Sequence, residues 1–210
     1  MPDLNGLKGY QDLSAGTSDF NAQTFLIQSL LSRVNTATLV KVTAVTNVGT
    51  VSPVGFVDIM PLVNQLDGDG NVIPHGISYN CCYARVQGGT DAIIIDPKVG
   101  DIGVAVFASR DISSVQINKA ESNPGSFRQF DLADGIYLFG VLNGIPTQYV
   151  QFNASGITIT SPTAVTINAP LTVNGNITTT GTVINNGKNI GSTHTHSGVT
   201  TGAGNTGVPN

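Results

Sequence analysis

The chain has no tryptophan, only two cysteines, and 10% charged residues against the roughly 25% of an average globular protein. Each shortage removes a class of function. Cys81 and Cys82 are neighbours, and a bridge between adjacent residues is geometrically strained. Two cysteines make no disulfide framework, so both read as small apolar residues in or near a strand. Nine Lys and Arg stand against 13 Asp and Glu, a formal net charge of −4, with no basic cluster to displace counterions. Nucleic acid is therefore not an expected partner. No apolar run approaches the ~20 residues that cross a bilayer as a helix. The opening Met1-Pro2-Asp3-Leu4-Asn5-Gly6 lacks the basic and apolar regions of a signal peptide, so synthesis and folding in the cytoplasm are expected.

The charge is also unevenly placed. All 13 acidic residues and 8 of the 9 basic ones precede residue 151, a net of −5. From Gln151 to Asn210 only Lys188 is charged. The sequence thus divides into about 150 ordinary residues and a nearly uncharged tail, long enough together for one or two domains and a real core.

Residues 1–17 are polar and read as an arm. A helix is predicted from Ser18 to Val34, with Thr17 or Ser18 capping its first turn. Phe20, Thr24, Ile27, Leu31 and Val34 recur at spacings of 4, 3, 4 and 3 and form one stripe, while Phe25, Leu26 and Leu30 add a second apolar face. So much apolar surface needs cover, either on the helix's own domain or against another subunit. From Thr38 to Val150 short strands follow: around Val40 and Val42, 54–59, 77–86, 92–95, 102–108 and 136–141, with a short helix or irregular crossing at 113–120. This spacing suggests a small antiparallel barrel or sandwich. Asp67-Gly68-Asp69-Gly70-Asn71 is a turn. It is no calcium loop, because Val72 and Ser78 stand where Gly and Glu are required.

After Val150 one parity stays apolar for nearly thirty residues. Ile157, Ile159, Val165, Ile167, Ala169, Leu171, Val173, Ile177 and Val183 are all odd-numbered, and Thr or Asn fills most even positions between them. Side chains alternate across a strand, so this is a β pattern with one inward face, and a helical period is excluded. A single narrow row of aliphatics makes no core alone. Intertwined copies around a common axis would bury it, as a β-helix or β-prism. A single-chain solenoid or an unstructured Thr/Asn/Gly tail are the alternatives.

Two of the three histidines, His194 and His196, lie in Gly191-Ser192-Thr193-His194-Thr195-His196-Ser197-Gly198. At i and i+2 in a strand they share a side, about 7 Å apart. One chain supplies too few ligands for a firm site, but three chains supply six imidazoles. Zn²⁺ prefers four tetrahedral ligands, whereas six nitrogens suit an octahedral Fe²⁺ or Ni²⁺. A metal saturated by protein has no open position for substrate and would be structural. His75 in Pro74-His75-Gly76 reads as a loop residue. Arg110, Asp111, Arg128 and Asp131 read as an ion-pair cluster, since no nucleophile motif accompanies them.

Several segments carry a family likeness. They are Gly55-Phe56-Val57-Asp58-Ile59-Met60-Pro61-Leu62-Val63-Asn64-Gln65, Ile95-Asp96-Pro97-Lys98-Val99-Gly100-Asp101-Ile102-Gly103, Ser109-Arg110-Asp111-Ile112, and Asn123-Pro124-Gly125-Ser126 with Phe130-Asp131. With the His194/His196 tail they resemble the phi92-type membrane-puncturing central spikes of contractile phage baseplates, and the tail also resembles the related P2-like baseplate protein V. The likeness covers residues 38–210 and is weakest over the arm and helix. It implies a mainly β chain: an N-terminal arm and helix (1–37), an OB-fold antiparallel β-barrel (38–150), an intertwined trimeric β-helix (151–190), and a tip (191–210) with the H-x-H metal motif. It also implies one structural iron ion (Fe²⁺) per homotrimer, held by His194 and His196 of each chain. The implied partners are a baseplate hub protein and, mechanically, the host outer membrane, with no small-molecule substrate. The implied location is the virion tail tip, after assembly in the host cytoplasm. The reading is of a structural protein and not an enzyme. The competing readings are a trimeric receptor-binding fibre or adhesin tip, and the spike of a related contractile injection particle. The lack of any aromatic residue after Phe152 argues against sugar binding by the tail.

Overall fold

Val40 and Val42 point inward from strand β1 (Ala37–Val45) and are fully buried, while Lys41 between them is exposed. The same alternation recurs in β2 (Phe56–Pro61), where Val57 and Ile59 face in. After two short paired strands, β3 (Gln65–Leu66) and β4 (Val72–Ile73), comes β5 (Ser78–Tyr83), with Cys81 and Tyr83 inside. The hairpin of β6 (Val86–Gly88) and β7 (Asp91–Ile93) precedes β8 (Ile102–Phe107), which turns Ala105 and Phe107 inward. A short helix, α2 (Ser113–Asn118), and a 3-10 turn, Leu132–Asp134, lead to β9 (Gly135–Gly140), which contributes Tyr137.

The computed structural model describes residues 16–47, 51–66, 71–192, 194, 195, 198 and 202. It falls into two compact units, 1–145 and 146–210.

In the first unit five strands close a barrel in the order β1-β2-β5-β9-β8. Counting only barrel strands, the order is 1-2-3-5-4, returning to 1. Val42 pairs with Ile59, Leu39 with Val104, and Phe56 with Cys82, all antiparallel. The expectation of an antiparallel barrel needs one correction: β5 and β9 pair in parallel, Cys82 opposite Ile136. The long connection through β6, β7, β8 and α2 brings the chain back in the same direction. Register slips between Val42 and Ala44 and between Val57 and Ile59 mark bulges, which supply the extra twist and bend a small closed sheet needs. Asn80 occupies one irregular point in the left-handed region (φ 56°), and its N–H is held by the Asp58 carboxylate at 3.0 Å.

Helix α1 (Asp19–Leu31) is shorter than the predicted 18–34. Ser18 stands outside as the N-cap, its hydroxyl accepting from the Asn21 N–H at 3.2 Å, and a last turn of shorter-range bonds continues to Val34. None of the helix's residues is buried. The expectation that its own domain covers it therefore fails for the described residues.

Among the described residues the second unit holds two hairpins, β10 (Tyr149–Asn153) with β11 (Gly156–Thr160), and β12 (Ile184–Asn185) with β13 (Lys188–Asn189). The second turns through Asn186 and Gly187 at φ 48° and 75°. Two consecutive left-handed residues are the geometry that makes Asn-Gly the favoured two-residue hairpin turn. Between them, residues 161–183 form no strand, although the sequence predicts a continuous β row there. The single chain offers this stretch no strand to pair with, and none of its residues is buried. The division between units falls five residues before the expected boundary because β10 already belongs to the first tail hairpin.

Candidate functional site

The β12–β13 hairpin positions His194, the first histidine of the H-x-H segment. Ile190 N–H returns to the Val183 carbonyl at 2.8 Å, and the Asn189 side chain accepts from Gly191 N–H at 2.8 Å. These two bonds fix where the Gly191 carbonyl points. It accepts from His194 twice, from the backbone N–H at 3.1 Å and from the ring Nδ1 at 2.6 Å. A carbonyl only accepts, so Nδ1 carries the proton in this bond, and Nε2 is the ring nitrogen that can present a lone pair to a metal. A ring nitrogen tied to a backbone carbonyl, with the other bearing the lone pair, is the arrangement in which imidazole ligates metals. His194 therefore fits the implied metal. His196 lies outside the described residues. Among the described residues no group of three or more His, Cys, Asp or Glu forms a metal site within one chain.

The ion-pair cluster is rearranged from its expected membership. Arg128 Nη2 lies 3.0 Å from Asp111 Oδ2 and 3.1 Å from Asp134 Oδ1, and its Nε donates to Asp134 Oδ2 at 3.2 Å. Both carboxylates are almost wholly buried. Arg110 is exposed outside the cluster, and Asp131 instead caps the 3-10 turn through the Ala133 N–H at 2.9 Å. Ser126 Oγ donates to Asp111 Oδ2 at 2.7 Å, so the Ser109–Ile112 and Asn123–Ser126 segments meet at this carboxylate. The Asp134 carboxylate also accepts from Ile112 N–H at 3.1 Å. The cluster thus ties the loops after β8 to the 3-10 turn before β9.

Hydrogen bonds from the Ser113 and Ser126 hydroxyls, then from Ser113 N–H, with the Arg128 charge adding to them, hold the Asp111 carboxyl down to about 2 from an ordinary 3.8. A carboxylate depressed in the folded state stabilises fully above its unfolded value, and that contribution is lost as pH falls through the folded one. The barrel should therefore lose stability between about pH 4 and about pH 2. Thermal unfolding followed across that window should show a steeper fall for the natural chain than for Asp111→Asn. Parallel curves would assign the acid sensitivity elsewhere.

A second buried pair has no signature in the sequence. Arg85 Nη2 and Nε reach Asp96 Oδ1 at 2.7 and 3.2 Å, and Nη1 donates to the Ser52 carbonyl at 2.7 Å. The pair borders a cavity of about 220 Å³ that Tyr137 and Phe139 also line. Among the described residues, Asp96 Oδ2 and the Tyr137 hydroxyl find no hydrogen-bond partner. Burial, and secondarily Asp101, push the Tyr137 phenol up, so it stays protonated.

The other singled-out residues have structural places. His75 lies in the connection between β4 and β5, its Nε2 2.9 Å from the Val63 carbonyl. Cys81 and Cys82 are both free thiols in β5. Burial raises the Cys81 thiol, which removes thiolate character. Residues 67–70 of the predicted turn lie outside the described residues, and the flanking β3 and β4 pair across it, Leu66 opposite Val72. No protein-family model matches the chain, and no curated protein matches it in sequence.

Proposed function

We propose that this chain is one protomer of a homotrimeric central spike of a contractile phage tail baseplate, driven through the host outer membrane when the sheath contracts. The observation that carries the reading is the tail's unburied row. Ile157, Ile159, Ile167, Leu171 and Ile177 are 57–70% exposed in the single chain, all on one parity. Soluble chains do not keep such a row in water without a cover. Copies of the same row around a threefold axis supply one. The five-strand order 1-2-3-5-4-1 is consistent with the OB-fold that the family likeness implies, here as a docking module for a hub protein. An acidic balance does not favour oligonucleotide on that barrel.

In this reading the mechanism is mechanical. Strands hydrogen-bonded between chains make a narrow rod that resists bending, and the energy comes from the sheath. His194 and His196 of three chains would hold one iron ion. Such an ion would tie the three chains together at this segment. Light scattering should give three times the chain mass, and elemental analysis about one metal per three chains. His194→Ala with His196→Ala should abolish the metal while leaving the trimer intact, because the β rows carry most of the contact. A monomer at micromolar concentration would end the proposal. A metal-free trimer would end the tip assignment alone.

A further inference from the structure

Among the described residues, helix α1 is a second apolar surface without cover. A helix of 13 residues is marginal in water by itself, yet no residue of this one is buried. Phe20, Ile27, Leu30 and Leu31 are 57–76% exposed, and Val34 just beyond is 38% exposed. Along the chain, Phe20, Thr24, Ile27, Leu31 and Val34 follow the 4-3-4-3 spacing of a coiled-coil seam. Leu30 flanks that seam and widens the apolar arc beyond the strip that a two-stranded coil covers. No residue between Asp19 and Arg33 is charged. A charged partner finds no complement on this face, whereas identical helices laid side by side meet no like-charge repulsion.

We infer that α1 packs against the same helix of two other copies, in parallel, as a short three-helix bundle. This rests on the trimeric reading above. The helix is only about 20 Å long, two heptads, too short to gather three chains from dilute solution. Association through the tail raises the local concentration of the three helices, so the second contact forms within one particle. The bundle then clamps the chains at the opposite end of the sequence from the H-x-H tip, and the barrel segment is held to the trimer from both sides in sequence.

Cysteine cross-linking in the full chain tests this. In a background with Cys81→Ala and Cys82→Ala, Ile27→Cys places a thiol in the seam and Ala22→Cys places one on the far side of the helix. Mild oxidation followed by a non-reducing gel should convert about two-thirds of the Ile27→Cys chains to covalent dimer. Three thiols at one axis can pair only two at a time. Ala22→Cys should stay monomeric on the gel. A trimer in light scattering whose Ile27→Cys form links no better than Ala22→Cys overturns the bundle and leaves the spike reading standing. Complete conversion to dimer also overturns it, in favour of a two-stranded contact. A monomer in light scattering overturns both. If the cysteine-free background fails to fold, the same comparison with Cys81 and Cys82 retained, and the native chain as the baseline, separates the same outcomes.

Discussion

Leu171→Asp should turn the trimer into monomer, while Thr172→Asp, one residue along, should leave it trimeric. The two positions have opposite parity, so the pair reads the direction of the side chain and nothing else. In a threefold rod the first change removes three aliphatic side chains, each worth about 1.5–3 kcal/mol when fully buried. It also places three carboxylates around one axis, where desolvation costs several kcal/mol per charge and like charges repel. The combined penalty is on the order of 10 kcal/mol per trimer, more than such an assembly survives at micromolar concentration. Light scattering measures the mass directly. Equal disruption by both substitutions would refute an inward-facing row, and a solenoid built within one chain would show no change of mass at all.

The largest expected effect on the barrel comes from adding a single methyl group. Gly103 sits in β8, where a Cβ would collide with the Phe139 carbonyl oxygen and lie 2.6 Å from the Tyr137 ring. The carbonyl belongs to the neighbouring strand β9, which pairs with β8 through Gly103 and Gly140. A backbone oxygen in a closed ladder has no room to yield. Gly103→Ala should cost about 3 kcal/mol, at the upper end of overpacking penalties. That is a large part of the 5–15 kcal/mol by which a domain is stable, and it corresponds to a fall of roughly 10 °C in Tm. Gly144→Ala is the control, because a Cβ there meets nothing within 4 Å. Its Tm should move by no more than a degree or two. Calorimetry comparing the two variants distinguishes a steric origin from a general preference for glycine.

How far the sequence can be read follows from where its signals originate. The barrel strands are legible because alternation within one strand is a local pattern. Val40 and Val42, Val57 and Ile59, and Ala105 and Phe107 each declare an inward face without reference to another strand. Strand order and the parallel β5–β9 contact are not local. They depend on how a connection of some fifty residues returns, and no residue encodes that alone. The ion-pair cluster is non-local in the same way. Arg110 and Asp131 stand close in sequence to Asp111 and Arg128, yet Asp134 is the second carboxylate on Arg128. A signal exists, since the 3-10 turn sets Asp134 three residues past Asp131, but it shows only once Asp131 is seen as the cap of that turn. Arg85 and Asp96 meet across the β6–β7 hairpin, eleven residues apart, with no pattern to announce them. In the tail, the H-x-H spacing points to His194, whereas its tautomer depends on the Gly191 carbonyl.

The contrast between a barrel closed on itself and a tail whose residues 161–183 pair with no strand also bears on timing. All five barrel strands lie within residues 37–140, so this part needs no second chain to close, and its folding rate should be independent of concentration. In the trimeric reading the tail emerges after the barrel and its folding is a higher-order event, which waits for two more chains. At low expression the barrel would be native while the tail is still searching, with its aliphatic row open to any passing strand. Dilution during refolding should therefore slow the appearance of tail structure and leave the barrel's rate unchanged. In that reading, a cell would have to synthesise the chains fast, or close together, for the tails to meet before they aggregate.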